Sequence, residues 1–411
     1  MISIGKNKVI NSELMISKKW YYPINILAFN LSRLSPLRCK RLWLFGAWAG
    51  KKYDDNSRYL FEYVNKNYSD QIRAVWVAKF PEVAELVRAQ GYEAVIGDSW
   101  KGRWLQLRAG VAYYTNSLND FAMIPLVGGA TICTGWHGMS FKKIYNSKYQ
   151  GWKLQAKKVI DHIYSRTYRT VSVVTSEWAK HWFEDSFTLN PHKIFITGQP
   201  RNDTLRQVSR NDVLGQMGIM PNKRVILYLP TYRHAAQGRD VIQRLVEALY
   251  NDTEFDSTLE AKNYVFFVKP HYLTPTINLK SRENFIISSF KSVGSNQELL
   301  ACGDILVTDY SGGFIDFALL NRPIIFYTPD EEQFLRQSED IDKKFFEICN
   351  LNRARSPHEL AIKLSSPSVV ACDATNELWE DKSISGTCYS ENVYKVLARE
   401  VGLEIDKWDR C

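Results

Sequence analysis

The feature of this 411-residue chain that most constrains its fold is a series of short apolar runs that do not alternate with polar residues. The runs are rich in β-branched and aromatic side chains and fall into two sets. The first set is Leu42–Phe45, Ala74–Val77, Val111–Tyr114, Ala130–Cys133, Val171–Val174 and Ile194–Ile196, and the second is Val225–Leu229, Tyr264–Val268, Ile305–Val307 and Ile324–Tyr327. Strands that are buried on both faces have this pattern, so the sequence predicts an α/β fold with parallel sheets covered by helices.

A polar stretch, Arg201–Lys223, separates the two sets of runs. A chain of this length suits two domains better than one. We therefore expect two domains that face a central cleft, an N-terminal one over residues 1–205 and a C-terminal one over 206–390, followed by a helix or tail over 391–411. Ligands of open parallel sheets bind beyond the carboxyl ends of the strands, so the residues directly after each run are the candidates for a site.

Composition excludes several classes of protein. Hydrophobic residues make up 45% of the chain and charged residues 24%, which is typical of a globular protein and not of a disordered one. The seven cysteines are dispersed without a CxxC pair, which argues against a disulfide framework and against a zinc site. No apolar run reaches the roughly 20 residues that span a bilayer. The polar first residues do not resemble a signal peptide, so we expect a cytoplasmic protein.

The net charge of +9 favours anionic partners. Much of it lies in Phe141–Ile160, which contains six lysines and no acidic residue, with Tyr145, Tyr149 and Trp152 between the lysines. Two interpretations stay open for this segment: a surface that contacts anionic lipid headgroups, or the solvated face of a helix. No nucleic-acid-binding signature accompanies the charge, so no nucleic-acid partner is expected.

Polar residues and glycines follow several of the apolar runs, where parallel strands would end. The segments are Gly135–Gly138, Gly198–Asp203, Pro230–His234, Lys269–His271 and Thr308–Gly313, with Gly46 directly after the first run. A single arginine after a strand is usually structural. Because strand ends of two facing sheets border one cleft, the convergence of histidine, lysine, arginine, serine and glycine from both domains predicts a binding site there. His234, beside Arg233, is a further histidine to test.

The segment Thr308–Ala318 is the most informative of these, since it reads as a strand end, a turn and an amphipathic helix. Ser311 or Asp309 can cap the helix. The N–H groups at a helix N-terminus bind anions, and small residues let a phosphate approach closely. An ordinary helix cap explains Ser311 but leaves the two adjacent glycines unexplained, so the turn predicts a phosphate site.

Five motifs in this order resemble the CDP-glycerol glycerophosphotransferases, the teichoic-acid polymerases and primases and their capsule-polymer relatives. The motifs are GWHGMSFKKI, TGQPRNDTL, LYLPTYR, VKPHY and ILVTDYSGGFIDFALLNRPIIFYTPD. The resemblance runs from about Leu42 to Asp330 and includes a closing helix over Gly386–Leu397. It implies a GT-B fold of two Rossmann-like domains, with the nucleotide donor held mainly by the C-terminal one, and CDP-glycerol as donor substrate with no further cofactor.

The resemblance also implies roles for individual residues. His137 corresponds to the proposed general base of the family, and His271 to its second catalytic histidine. Around them we expect a set of residues that bind the donor and balance its phosphate charge: Arg201, Arg233, Lys269, Thr308, Asp309, Ser311 and Gly312. On the acceptor side we expect Gly46, Trp136 and Gly138. Histidine suits the role of base because its pKa lies near neutrality.

This sequence departs from the family pattern at three places. Gly312 replaces the second serine of the family's Asp-Tyr-Ser-Ser segment, Tyr272 replaces a proline, and Leu335–Ser338 replaces an expected Arg-Gly-Phe stretch. The transferred group therefore stays open between glycerol phosphate, ribitol phosphate and another polyol phosphate.

Two rival functions also stay open: a GT-B transferase of a nucleotide sugar, and a non-catalytic protein that binds an anionic polymer or nucleic acid. The expected partners are a CDP-polyol donor, a lipid-linked or polymeric acceptor and the anionic inner face of the cell membrane. No metal site is expected. The DxD string Asp340-Ile341-Asp342 has no strand before it, and the pair Asp54-Asp55 is an equally weak signal.

Overall fold

Two parallel sheets form the framework of the protein. The computed structural model describes residues 23–163, 170–233, 240–271, 273–288, 295–337, 341–380 and 388–404. The first sheet has the order β3-β2-β1-β4-β5-β6-β7. Its strands are β1 (Cys39–Gly46), β2 (Arg73–Ala78), β3 (Ala94–Ile96), β4 (Ala109–Tyr114), β5 (Thr131–Thr134), β6 (Thr170–Val174) and β7 (Ile194–Ile196).

The second sheet has the order β10-β9-β8-β11-β12-β13. Its strands are β8 (Arg224–Leu229), β9 (Tyr264–Val268), β10 (Phe285–Ile287), β11 (Ile305–Thr308), β12 (Ile324–Tyr327) and β13 (Arg353–Ala354). Every pairing in both sheets is parallel. The prediction of an α/β fold with parallel sheets is therefore confirmed.

Helices connect the strands, as parallel pairing requires. Residues 23–32 are helical and are called α1. The α-helices that follow are α2 (Asp55–Tyr68), α3 (Pro81–Ala89), α4 (Trp100–Arg108), α5 (Gly151–Ile163), α6 (Glu177–Ser186), α7 (Thr204–Gln207), α8 (Arg210–Met217), α9 (Val241–Tyr250), α10 (Thr253–Ala261), α11 (Asn296–Cys302), α12 (Gly313–Phe317), α13 (Glu331–Gln337), α14 (Lys343–Leu351), α15 (Pro357–Ser365), α16 (Val370–Asp373) and α17 (Tyr389–Val401). Among the described residues, every helix is too short or too polar to cross a bilayer.

The strand order reverses direction once in each sheet, and these two points mark where ligands are expected. In the first sheet the reversal lies between β1 and β4, and in the second between β8 and β11. A crevice opens at such a point beyond the carboxyl ends of the strands. The loop after β8 and the loop after β11 meet there directly, since the backbone N–H of Thr231 donates to the carboxylate of Asp309.

Apolar packing joins the two sheets. Met139 and Phe141, which follow β5, belong to the same buried cluster as Phe314 and Phe345 of the second sheet's layer. The rings of Phe141 and Phe314 are stacked with their centres 5.6 Å apart. The loop that follows β5 is therefore fixed between the two domains.

The last helix, α17, returns to the first sheet. Val393 and Leu397 pack in the buried cluster that contains Trp43 of β1. Asp203 caps the start of the helix, because its carboxylate accepts from the backbone N–H groups of Tyr389 and Ser390. The boundaries 1–205, 206–390 and 391–411 stay a prediction.

Candidate active site

The loop after β5 carries His137 and contains two residues with positive φ, a backbone conformation that few residues adopt. Gly138 has a φ of 117°, and Trp136 has a φ of 56°. Two buried amides hold this loop: Gln199 donates to the Gly135 carbonyl at 2.9 Å, and Asn56 donates to the Trp136 carbonyl at 3.0 Å. Non-glycine residues with positive φ are uncommon and cluster at functional sites.

His137 lies between two indole rings. Its ring centre is 4.4 Å from that of Trp136 and 5.7 Å from that of Trp48. Burial, together with the positive charge of Arg201, lowers the pKa of His137 to about 4, and the Thr115 backbone opposes this shift. Nδ1 is buried and has no hydrogen-bond partner among the described residues. The imidazole is therefore neutral at neutral pH, which is the form that accepts a proton.

Arg201 lies directly beneath the His137 loop. One Nη donates to the His137 carbonyl at 2.9 Å and to the Asp55 carboxylate at 3.1 Å, and the other donates to Asp316 at 2.6 Å. A side chain at Gly138 would meet this guanidinium at 2.5 Å, so only glycine leaves room for it. Arg201 thus ties the loop of the candidate base to both domains, while its predicted contact with the donor stays a prediction.

The contacts of Arg201 extend into a buried polar network that crosses the domain boundary. Asn202 donates to Asp316 at 2.9 Å, and Gln297 donates to Asn202 at 3.0 Å and to Asp316 at 3.0 Å. We call Asp55, Arg201, Asn202, Gln297 and Asp316 the interdomain network. Because buried charges are stable only when they are paired and hydrogen-bonded, the network fixes how the two domains meet beside His137.

Asp309 and Arg233 form a second buried ion pair, at the strand reversal of the second sheet. Asp309 is fully buried and accepts from Thr231 Oγ1 at 2.6 Å and from Arg233 at 2.9 Å. Arg233 also donates to Asp330 at 2.8 Å, and its guanidinium lies over the rings of Tyr310 and Phe334. These contacts fix the loops after β8, β11 and β12 relative to one another. Direct contact of either residue with a donor stays a prediction.

The turn after β11 presents the small residues that the sequence singled out. The N–H of Gly313 donates to Ser311 Oγ at 3.2 Å, and Thr308 Oγ1 donates to the Leu229 carbonyl at 3.3 Å. Gly312 faces the other domain, and a Cβ at this position would lie 2.3 Å from the carbonyl oxygen of Met139. The close approach of the His137 loop therefore explains why glycine stands where the family pattern has serine.

Replacing Gly312 by serine is expected to lower the free energy of unfolding by about 1–3 kcal/mol, because an added Cβ overpacks a rigid backbone contact. Chemical denaturation of Gly312→Ser measures the change. Gly215→Ser is the control, since a Cβ at Gly215 meets nothing within 4 Å. Equal stability of the two variants would contradict the close approach of the domains.

Lys269 and His271 follow β9 and lie on the second domain's side of the cleft. Lys269 is buried, donates to Asn296 Oδ1 at 3.0 Å, and has its pKa lowered to about 8 by burial. The His271 side chain is exposed to solvent at one edge, and its ring lies 5.6 Å from that of Tyr232. Partial burial and the positive charges of Lys52 and Lys142 lower the pKa of His271 to about 4. Because Lys52 and Lys142 belong to the first domain, cations of that domain act on His271 across the domain interface.

Gly46 packs closely within the first domain, its acceptor-side role stays a prediction, and several other positions lie outside the described residues. Gly46 is buried, accepts from Ser57 through its carbonyl and leaves no room for a side chain beside Asp120. His234, Tyr272 and Asp340 lie outside the described residues. Asp342 caps α14 by accepting from the N–H of Lys344. In the described parts of the chain, no group of histidine, cysteine and acidic residues has the arrangement of a metal site.

Sequence reasoning missed several residues of the site. Asp55, treated only as a weak metal motif, and Asp316 are the two carboxylates that bind Arg201. Trp48 lies in the glycine-containing turn after β1 and packs beside His137, and Lys52, which follows the turn, lowers the pKa of His271 through its charge. These residues could have been found from their position in the sequence, since Trp48 to Asp55 follow a strand that borders the cleft.

A cavity of about 620 Å³ opens beyond the carboxyl ends of β12 and β13. It is lined by Thr328, Pro329, Asp330, Glu331, Glu332, Gln333, Arg336 and Arg355. Asp330 connects this cavity to the buried pair of Arg233 and Asp309. Its volume lies in the range of small-molecule sites, about 300–1,000 Å³.

Comparison with known proteins identifies the family. Residues 27–374 match the family described as CDP-Glycerol:Poly(glycerophosphate) glycerophosphotransferase. The chain belongs to this family. As a member of the glycerophosphotransferase family, it is an enzyme of this type, and its two sheets form the GT-B fold.

Individual relatives agree with this assignment. The chain is 28% identical over 387 residues to the teichoic acid poly(glycerol phosphate) polymerase of Bacillus spizizenii, covering 89% of this chain and 92% of that protein. It is 28% identical to the teichoic acid glycerol-phosphate transferase of Staphylococcus aureus, covering 73% of this chain and 77% of that protein. The solved structure of the wall teichoic acid polymerase TagF shares the fold, with a TM-score of 0.69 at 20% identity, and the match covers 97% of this chain and 99% of that one.

Proposed function

We propose that this glycerophosphotransferase-family enzyme moves glycerol phosphate from CDP-glycerol to a hydroxyl of a lipid-linked or polymeric acceptor, in the synthesis of a teichoic-acid-like or capsule polymer. The observation that carries the proposal is His137, a neutral imidazole held against the second domain by Arg201. The description of the family to which the chain belongs names CDP-glycerol and poly(glycerophosphate), which supports this donor and a polymeric acceptor.

The proposed reaction is one displacement at the distal phosphorus of CDP-glycerol. The acceptor oxygen forms a bond to that phosphorus, its proton passes to His137, and the bond to the bridging oxygen breaks so that CMP leaves with the electron pair. Such transfers depend on positioning and charge stabilisation more than on covalent chemistry. His137 supplies the base, while Lys269 and His271 face the phosphates from the second domain.

We assign the cytidine of the donor to the 620 Å³ cavity after β12 and β13. Carboxylates accept hydrogen bonds from ribose hydroxyls and from the exocyclic amine of cytosine. Glu332, whose side chain is exposed at the cavity wall, has this chemistry. A nucleoside bound in this cavity would lie beside Asp330, which accepts from the hydroxyl of Tyr310 in the turn after β11 that is predicted to bind phosphate.

Release of CMP from a panel of donors tests the proposed function. The panel is CDP-glycerol, CDP-ribitol and UDP-sugars, each supplied with an acceptor extract. The proposal predicts CMP from CDP-glycerol. Release only from CDP-ribitol would assign a different polyol, and release of UDP from a nucleotide sugar without turnover of CDP-polyols would overturn the reaction in favour of glycosyl transfer.

The acceptor is expected at the inner face of the cell membrane, and helix α5 fits that surface. Trp152 is 76% exposed and Val159 58% exposed, so α5 presents apolar side chains to the solvent. Lys153 and Lys158 lie among them and are exposed. Exposed aromatic and basic side chains on one helix suit a surface of anionic lipid.

Reversing the charge of Lys153, Lys157 and Lys158 to glutamate is expected to weaken binding to anionic liposomes at least tenfold, since each basic residue contributes about 1 kcal/mol near such a surface. Sedimentation with liposomes that contain phosphatidylglycerol measures the binding. A variant with Leu27 and Leu31 changed to serine tests whether the exposed apolar face of α1 binds the liposomes instead. Unchanged binding by the lysine variant, with loss in the leucine variant, would remove α5 from the proposal.

A further inference from the structure

Lys52 lies on the loop between β1 and α2, on the first domain's side of the cleft. Its Nζ is 4.8 Å from the centre of the Trp48 ring. The same ring is 5.7 Å from the ring of His137. The ammonium group of Lys52 and the ring of the candidate base therefore both lie beside the Trp48 indole.

The loop that carries Lys52 has a fixed and strained backbone. Trp48, Ala49 and Asp55 all have positive φ, between 51° and 65°. Asp120 holds the loop by accepting from the N–H of Ala49 at 2.7 Å. Such conformations cost of order 1–3 kcal/mol each and persist where the surrounding structure enforces them, often at functional sites.

The second domain meets this loop at the start of α11. Tyr59 of α2 donates to Ser295 Oγ at 2.8 Å, and the next residue, Asn296, accepts from Lys269. Lys52 is close enough to lower the pKa of both Lys269 and His271 through its charge. The charge of Lys52 therefore acts on Lys269 and His271 across the interface between the domains.

Cationic groups that face one another raise the energy of the empty site, and an anion between them removes that cost. Carboxylates offset part of the charge: Asp54 and Glu298 act to raise the pKa of Lys269, and Asp54 and Asp55 act to raise that of Lys52. We propose that Lys52 binds the transferred phosphate of the donor from the acceptor-side domain, opposite Lys269 and His271. The proposal rests on the proposed function, because the anion is the phosphate that the enzyme transfers.

The role of Lys52 in the reaction follows from its position. While the acceptor oxygen bonds to phosphorus, the proton passes to His137 and CMP leaves with the electron pair of the breaking bond. Lys52 donates hydrogen bonds to the non-bridging oxygens of the phosphate throughout and neither gains nor loses a proton. Its contribution is greatest where charge develops in the transition state.

Steady-state kinetics of Lys52→Gln, with Lys51→Gln as the neighbouring control, test this role. Lys51 is exposed and carries the same charge. For Lys52→Gln we expect kcat to fall about 10²-fold, the range seen when one transition-state donor is removed. The control is expected to stay within twofold of the wild type. A Lys52→Gln variant that matches the control, or that changes only the KM for the acceptor, overturns the proposal.

Two measurements that involve no turnover test the role of Lys52 independently of which donor the enzyme uses. Calorimetric titration with inorganic pyrophosphate is expected to show roughly tenfold weaker binding by Lys52→Gln than by Lys51→Gln, because one charge-assisted contact is lost. In an NMR titration, the pKa of His271 is expected to rise from about 4 when Lys52 is replaced by glutamine, because one of the two nearby positive charges is removed. The charge of Lys142 remains in this variant. Equal pyrophosphate affinity, or an unmoved pKa of His271, overturns the role of Lys52 even if the enzyme uses another donor.

Discussion

Replacing His137 by glutamine is expected to lower kcat about 10²–10⁴-fold, the usual contribution of a general base. Glutamine keeps the size and polarity of the side chain but accepts no proton from the acceptor hydroxyl. The affinity for CDP-glycerol is expected to change little, since the proposal assigns the donor to the second domain. Single-turnover kinetics and calorimetric titration with CDP-glycerol measure the two quantities separately.

The pH dependence of kcat/KM gives a second test of the role of His137. Because burial and Arg201 lower the pKa of His137 to about 4, the free enzyme is expected to have its base in the active form at neutral pH. The acid limb of kcat/KM should therefore lie near pH 4, and it should be absent in His137→Gln. His181→Gln is the control, since its side chain is 73% exposed on α6. Equal rates for wild type and His137→Gln would show that another group takes the proton.

Replacing Arg201 by leucine is expected to lower the free energy of unfolding by about 3–5 kcal/mol, because removing one partner of a buried ion pair leaves uncompensated charge. Asp55 and Asp316 both lose their cation, and the side chains of all three residues are at most 12% exposed. Activity is also expected to fall, since the His137 carbonyl loses the donor that fixes its loop. Chemical denaturation and kcat measure these effects.

Two controls separate this role of Arg201 from direct binding of the donor. Arg103→Leu removes a surface arginine that lies 3.7 Å from Asp98, and its cost is expected to stay below about 1 kcal/mol. Adding Asp316→Asn to Arg201→Leu should recover part of the lost stability, because it removes one of the unpaired charges. If Arg201→Leu is as stable as Arg103→Leu and loses only affinity for CDP-glycerol, Arg201 is a donor ligand and not a positioning residue.

Much of the fold could be predicted from the sequence because the central strands are long enough to show a pattern. The buried runs in β1, β8 and β9 are continuous apolar segments. The strands that the pattern missed are β3, β10 and β13, which have two or three residues each and lie at the edges of their sheets. Segments this short seldom show a pattern of their own, although β7, also three residues long and at an edge, was predicted from its run Ile194–Ile196.

The site was harder to predict than the fold, because roles depend on partners that are distant in sequence. The strand-end rule directed attention to His137, Lys269 and Gly312, which follow β5, β9 and β11 in the structure. It could not show that Arg201 is paired with Asp55, 146 residues away, or that Arg233 is paired with Asp309 and Asp330. The reason for Gly312 was equally hidden, since it is the carbonyl of Met139 in the other domain.

The measurement that tests the central claim most directly is mass spectrometry of the acceptor after reaction. A lipid-linked acceptor is incubated with CDP-glycerol and either the wild type or His137→Gln. The account predicts a product heavier by one or more glycerol phosphate units, formed with an equal amount of CMP by the wild type and not by the variant. An acceptor that gains a sugar, or that stays unchanged while CDP-glycerol is hydrolysed, would contradict it.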